Sequence, residues 1–464
     1  MKLLVVNGSP KGDYSITLQT LNYLEILHPE HEFARLNAGA KIRSIEKDFS
    51  ESKKLLEEAD LIVFAYPVYT FITPSQLHRF IELMKENSVD IRDKFVTQLS
   101  TSKHFYDVTA HKFIEENMYD MGAKYIKGLS ADMDDLTKDQ GQKDAEDFFD
   151  YVIWCMEHNI YEALPEREPD YVPVKLDEAL TGPDMDEACF ELDSAGNEKS
   201  GDVVIVADLR DDDVQLKSMI NCFRKECGLK TRLVNLREFP FKGGCISCFN
   251  CAADGQCIYT DGFDSFLRGK IQTAQAIVLA FSIKDHSMGS LFKTYDDRQF
   301  CNGHRTVTMG MPFAYIISGR YSAENNLQTI IEGRAEVGHN FLAGIATDEK
   351  DPAAEIKKTA EKLEYAATHH YVQPQNFLGV GGMKIFRDLI WQMQGLMKAD
   401  HKFYKTHGQY DFPQKHRGRM IAMYGVGMLM GNKKLMAKAG NNVKEGMIAP
   451  YKKVLEQTKA LKDK

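Results

Sequence analysis

Lys2-Leu3-Leu4-Val5-Val6-Asn7-Gly8-Ser9-Pro10-Lys11-Gly12-Asp13-Tyr14-Ser15-Ile16-Thr17 decides how the chain begins to fold. Its apolar run stops at a Gly/Ser/Pro loop and a helical pattern follows from Ser15 to about Leu27, which predicts a strand, a tight turn and a helix. Apolar runs at Phe33 to Leu36, Leu61 to Tyr66, Phe95 to Leu99 and Ala123 to Ile126 then alternate with amphipathic stretches. These stretches, Ser52 to Glu58, Ser75 to Lys85, Val108 to Met121 and Ala145 to His158, suit helices. Strands alternating with helices mean βαβ units and an α/β, doubly wound parallel sheet.

From Pro165 the pattern fails. Prolines stand at 165, 169, 173 and 183, and 12 Asp/Glu against 3 Lys/Arg lie between Glu166 and Asp202, so 165–201 reads as an acidic linker or an extended surface arm. Regularity resumes at Val203 to Val206, with a helix around Val214 to Glu226 and strands near Thr231 to Val234, Ala276 to Phe281, Ala314 to Ser318 and Phe341 to Ile345. A helix from Ala353 to Ala367 closes the series. The order repeats that of the first half, which predicts two copies of one domain, 1–164 and 202–370. The segments after the third strand align as well: Ala65-Tyr66-Pro67-Val68-Tyr69 then Pro74 to Arg79, and Ala280-Phe281-Ser282-Ile283-Lys284 then Leu291 to Arg298. Residues 371–464 form a third, mainly helical region holding 9 of the 20 Met, with runs such as Ile421 to Met430.

No stretch approaches the ~18 consecutive apolar residues of a membrane span, and the apolar start is too short for a signal peptide, so a cytoplasmic protein is expected. A net charge of -9 opposes polyanionic partners and disfavours nucleic acid. The charge is uneven: from Tyr371 to Lys464 there are 17 Lys/Arg and 6 Asp/Glu, a surplus of 11 that leaves -20 on the first 370 residues. That contrast gives the basic tail an electrostatic motive to dock on the acidic body.

The first loop has the makings of a phosphate cradle. Free backbone N–H groups meet the positive end of the helix dipole there, with Ser9, Ser15 and Thr17 offering hydroxyls. An ordinary N-capped turn has the same outline, but several hydroxyls after a first strand, without a Gly-Lys-Ser/Thr ending, favour the cradle. Gly8-Ser9-Pro10-Lys11, Ser15-Ile16-Thr17 and Tyr66-Pro67-Val68-Tyr69 together resemble the NAD(P)H-dependent FMN reductases of the flavodoxin-like superfamily. The resemblance implies two tandem flavodoxin-like sheets. It also implies FMN binding by Ser9, Lys11, Ser15, Ile16 and Thr17 at the phosphate, by Pro67, Val68 and Tyr69 against the ring, and by a third loop at Ser100 and Thr101. Ile16 stands where the family often has Asn, and its backbone N–H can still serve. Open α/β sheets bind ligands beyond the carboxyl ends of their strands, where all three loops are expected.

Cys245, Cys248, Cys251 and Cys257 form a Cys-x2-Cys-x2-Cys-x5-Cys run. Four thiolates on one short loop can wrap a cubane cluster, one sulfur to each iron corner. Structural zinc, the main rival, usually takes two Cys-x2-Cys knuckles about 15 to 20 residues apart, and four metal-free thiols are the plain alternative. The compact run is similar to that of the iron–sulfur flavoproteins, a branch of the same superfamily carrying FMN and a [4Fe–4S] cluster. Cys155, Cys189, Cys222, Cys227 and Cys301 read as small core residues.

The two copies have complementary losses. Where the first has its phosphate loop, the second reads Ala207-Asp208-Leu209-Arg210-Asp211-Asp212-Asp213, whose carboxylates would repel a phosphate; the first copy has no cysteine before Cys155. Family members work as oligomers in which flavin and cluster face each other across subunits, and the resemblance suggests such a dimer fused into one chain, itself able to form a homodimer. The expectation is an NAD(P)H-dependent FMN-containing oxidoreductase passing electrons to a [4Fe–4S] cluster and on to a small-molecule or protein acceptor. Two alternatives stand beside it: an electron carrier without nicotinamide activity, and a structural zinc protein with a vestigial fold. No catalytic acid or base is assigned. Asp132, Asp134 and Asp135 fall near the flavin edge, a Gly-rich turn at 379–382 precedes an expected helix, and His401, Tyr404, His407, Tyr410, Asp411, His416 and Arg417 form a titratable stretch.

Overall fold

The computed structural model describes residues 1–163, 171–177, 202–431, 448–449 and 451–461. The first half builds a parallel sheet in the order β2-β1-β3-β4-β5 from β1 (Lys2–Asn7), β2 (Glu32–Leu36), β3 (Leu61–Pro67), β4 (Phe95–Ser102) and β5 (Lys124–Tyr125). A further strand, β6 (Leu129–Asp132), pairs with β4 beyond β5. The run at Ala123 to Ile126 therefore belongs to a broken edge. An added Cβ at Gly128 would lie 2.3 Å from the Gln98 carbonyl oxygen, so only glycine lets the chain step across β4 before pairing resumes.

The second half repeats the order with β7 (Val203–Ala207), β8 (Thr231–Asn235), β9 (Ala276–Ser282), β10 (Pro312–Ser318) and β11 (Phe341–Thr347), arranged β11-β10-β9-β7-β8. Both are flavodoxin-like doubly wound sheets, and every strand pairing is parallel. Helices on both faces explain why the strands read as near-continuous apolar runs: residues 3–7 of β1 and all five of β7 are buried.

The repeat extends to backbone detail. After β3, Thr70 and Phe71 adopt φ of 44° and 73° inside a Tyr69–Ile72 bridge; after β9, Asp285 and His286 adopt 51° and 63° inside a Lys284–Ser287 bridge. α4 (Ser75–Glu86) follows the first loop and the Gly289–Arg298 helix follows the second, and the two helices pack together. One apolar core runs from Leu4 and Phe80 through Phe292 and Phe281, so the inner faces of both sheets share it. The outer faces have cores of their own, under α1 (Ile16–Leu27) and α6 (Asp139–Glu157) in the first half and under Val214–Glu226 and Pro352–His369 in the second.

The chain forms two compact units, Met1–Tyr404, which holds both sheets, and Lys405–Lys464. The third region expected from 371 onward is thus split, and its first part belongs with the sheets. The glycines at 379–382 do not make a turn: they lie inside a helix, Phe377–Gln392, capped by Asn376. A Cβ on Gly379 would come 2.6 Å from the Glu336 carbonyl oxygen and one on Gly382 2.7 Å from Val337, so the glycines allow this helix to press on the Asn325–Gly338 helix. Of the linker, 171–177 is described; Val174 N–H donates to the Asp348 carbonyl at 2.8 Å and Leu176 packs on the outer core of the second sheet. Cys189 lies outside the described residues, while Cys155, Cys222, Cys227 and Cys301 are buried. Among the described residues no helix is long and apolar enough to cross a membrane.

Candidate functional site

The first loop folds back on Asn7, whose amide donates to the Gly12 carbonyl (2.9 Å) and to Asn37 (2.8 Å) while its Oδ1 accepts from Ser9 N–H (3.2 Å). Ser15 caps α1 by accepting from Leu18 N–H, leaving the first-turn N–H groups of Ile16 and Thr17 without intrahelical partners. Thr17 Oγ1 lies 2.6 Å from Thr101 Oγ1, tying the loop after β1 to the end of β4. The hydroxyl-bearing side chains of Ser9, Ser15, Thr17 and Thr101 are buried and line one cavity of about 670 Å³ together with Lys11, Ile16, Pro67, Val68 and Tyr69. Ser100 is the exception among the expected binding residues. Its hydroxyl lies 2.7 Å from His111 Nε2, outside the cavity lining.

The four cysteines line the same cavity. Their loop is folded by left-handed residues that carry side chains, Ser247 at φ 51° and Phe249 at 60°, so that thiols three positions apart turn toward one space. Ser247 N–H points at Cys245 Sγ (3.4 Å), and Cys251 Sγ lies 3.1 Å from the Phe300 carbonyl. Burial pushes the Cys245 thiol up to about 12 and the Cys251 thiol to about 11, with neighbouring thiols adding to the effect. Free thiols in this setting stay protonated and make poor nucleophiles; thiolates form here only with a cation that stabilises them.

A tetrahedral zinc with ~2.3 Å bonds would draw its sulfurs to about 3.8 Å from one another. Among the described residues the ligand groups whose atoms all fall within 4.8 Å of one another are His28, Glu30, His31 and Glu116, His286, Glu324; no trio of these cysteines is among them.

Both loops meet directly. The Lys11 ammonium sits 5.2 Å above the Phe249 ring, and its pKa is lowered by burial against the pull of Cys245 and Cys248. Gln76 Nε2, in the first turn of α4, donates to the Cys245 carbonyl at 3.1 Å. Residues without a sequence signature hold this junction. Arg298, almost fully buried, forks onto Asp261 (2.7 and 2.8 Å), donates to the Gly243 carbonyl (3.0 Å) and stacks 4.5 Å from the Tyr259 ring, which fixes the entry to the cysteine loop. Lys293, with no exposed surface, donates to the Tyr69 carbonyl (3.0 Å) and pairs with Asp297, which also accepts from Ser75 N–H (2.8 Å). The one available hint was a Lys and an Asp four apart on a helix that both its flanks mark as core.

The far wall of the cavity comes from 385–400: Ile385, Phe386, Leu389, Met393 and Met397 present apolar surface, and Asp400 pairs with Arg305 (3.3 Å). Of the titratable stretch, Tyr404 is buried and donates to the His304 carbonyl (3.1 Å), and neither it nor His401 lines the cavity. Asp132 and Asp134 are bound by Lys103 (2.8 and 2.7 Å), itself a lining residue.

In the second half the equivalent place is a cavity of about 50 Å³ crowded with charge. Asp208 pairs with Arg237 (2.8 Å), Asp213 accepts from Ser282 Oγ (2.6 Å) and caps the next helix, and Lys284 reaches Glu82 (3.3 Å). Burial raises the Asp208 pKa, with Arg237 opposing. Carboxylates and their partners fill the space that a phosphate would need.

Residues 1–89 match the family model described as flavodoxin-like fold. An iron-sulfur flavoprotein of Archaeoglobus fulgidus is 25% identical over 178 residues, covering 35% of this chain and 78% of that protein. Among solved structures, general stress protein 14 of Treponema denticola in complex with FMN aligns at 14% identity with a TM-score of 0.28, covering 33% of this chain and 99% of that one. The NAD(P)H:quinone oxidoreductase of Methanothermobacter marburgensis aligns at 12% identity with a TM-score of 0.27, over 35% of this chain and 98% of that one.

Proposed function

We propose that this chain is a flavin and iron–sulfur oxidoreductase that takes electrons from NAD(P)H and delivers them to an organic or protein acceptor, with FMN in the first half and a [4Fe–4S] cluster on Cys245, Cys248, Cys251 and Cys257. The observation that carries the reading is the meeting of two donor sets, buried hydroxyls at a helix N-terminus and four cysteines, on one cavity. Similarity to the Archaeoglobus iron-sulfur flavoprotein supports it.

When bound, FMN supplies a ring that accepts a hydride and gives up electrons singly, and the cluster supplies a one-electron store. The chain's own residues do the rest. Ser9, Ser15, Thr17 and the N–H groups of Ile16 and Thr17 receive a phosphate, with Lys11 near enough to offset its charge. Pro67, Val68 and Tyr69 wall the ring, and Thr101 anchors Thr17 from below. The cysteine loop, clamped by Arg298 and Gln76, keeps its sulfurs against that wall. Phe386, Leu389 and Met393 exclude water from the remaining space and leave an apolar berth for a small acceptor.

Anaerobic purification followed by iron, sulfide and flavin counting tests the reading. About four irons, four sulfides and one FMN per chain are expected, with flavin absorbance bleaching rapidly on mixing with NADH or NADPH. A colourless protein holding one zinc would overturn it, and a coloured protein inert to both nicotinamides would leave an electron carrier.

A further inference from the structure

We propose that the Tyr69 hydroxyl, contributed by the nucleotide-binding half, donates a hydrogen bond to a sulfur of the cluster held by Cys245 and Cys248 of the other half, and so raises that cluster's reduction potential. The assignment rests on the reading of the cysteines given above. Tyr69 is 6% exposed, its hydroxyl is buried without a hydrogen-bond partner, and it lines the cavity. A buried hydroxyl left unmatched is costly, so an acceptor is expected where it points.

The ring has little freedom to look elsewhere. Its backbone is pinned by the Tyr69–Ile72 bridge (2.7 and 3.1 Å) and by Lys293 on its carbonyl, and its edge packs on Phe300 with centroids 5.7 Å apart. The polar groups acting on the hydroxyl are Ser247, Cys245, Cys248 and Asp297. Asp297 is already engaged by Lys293, Ser75 and Thr70, and Ser247, although its side chain acts on the phenol, makes no hydrogen bond of normal geometry to it. That leaves the sulfurs of the cysteine loop, Cys245 and Cys248, as the acceptors beside it. Burial keeps the phenol protonated and therefore a donor. Hydrogen bonds to cluster sulfurs stabilise the more negative, reduced state. The equivalent residue after β9, Lys284, turns instead to Glu82 and Glu86, so the arrangement belongs to Tyr69 and is not imposed by the loop.

The test uses the full chain loaded anaerobically with iron, sulfide and FMN, comparing wild type with Tyr69→Phe by potentiometric titration read by electron paramagnetic resonance. With both proteins saturated with FMN and compared at equal iron and sulfide per chain, the cluster midpoint of Tyr69→Phe should lie at a more negative potential. An unmoved midpoint at full iron content overturns the assignment while leaving the proposed function standing. If Tyr69→Phe does not hold iron, 3-fluorotyrosine placed at 69, a stronger donor of nearly the same size, should move the midpoint positive, and no movement overturns the proposal. Wild type that takes up no iron would defeat the reading of the cysteines, and this assignment with it.

Discussion

Lys293→Met should be among the most damaging single changes in the molecule. Lys293 and Asp297 have no exposed surface, and their pair ties the helix Gly289–Arg298 to the Tyr69 carbonyl and to the first N–H of α4. Methionine has about the same volume, so the change removes a charge without opening a cavity and leaves the Asp297 carboxylate uncompensated. Breaking a buried pair in this way costs about 3–5 kcal/mol. At ~2.1 cal/mol/K of unfolding entropy per residue, the unit Met1–Tyr404 loses about 0.8 kcal/mol of stability per kelvin near its midpoint, so the midpoint should fall by about 4–6 °C. Burial already raises the Asp297 pKa, and losing the cation raises it further; a carboxyl that prefers to be protonated when folded loses stability as pH rises, so the deficit should shrink as pH is lowered. Lys293→Met/Asp297→Asn, which removes both charges, should recover most of the loss. Scanning calorimetry of the three proteins at two pH values measures all of this. A midpoint for Lys293→Met within 1 °C of wild type, or a double variant worse than the single one, would refute the buried-pair argument.

Thr17→Val removes the hydroxyl shared with Thr101 and should weaken FMN about tenfold, read by flavin fluorescence on titration, while the cysteine loop keeps its iron. Cys251→Ser should lose iron and retain FMN, whereas Cys222→Ser, in the outer core, should retain both; equal loss in both variants would contradict the site. His286 bridges Asp120 and Glu324, whose hydrogen bonds raise its pKa to about 10 against the desolvation that lowers it. The folded value exceeds the unfolded one, so its stabilisation is present below about pH 6.5 and lost as pH rises toward 10. Thermal midpoints of wild type and His286→Gln should converge over that range. On Gly379, Gly379→Ala places a methyl 2.6 Å from the Glu336 carbonyl oxygen and should cost about 1–3 kcal/mol in urea unfolding.

Much of the chain was legible because local patterns and tertiary demands agree. Strands buried on both faces must be apolar throughout, so β1, β3, β7 and β9 declare themselves; helix Val214–Glu226 declares itself by its apolar period, and the structure adds its Asp213 cap. The cysteine spacing and the hydroxyl-rich loop are local for the same reason, since each site is built within about a dozen residues of chain. The carboxylate-filled second loop could be foreseen from charge alone, and the structure supplies its partners, Arg237 and Ser282.

What residue order determined by itself is therefore two parallel α/β halves, one furnished with hydroxyls and the other with sulfur. Tertiary structure decided what no window of sequence can hold: that both furnishings open on a single cavity, that Ser100 lies outside its lining, that the glycines at 379–382 serve helix packing, and that Lys293 and Asp297 bind the halves together. The Lys293–Tyr69 and Asp297–Ser75 contacts join residues more than two hundred positions apart, and their selectivity arises from burial, which turns a charge pair that would be negligible in water into a requirement of the fold.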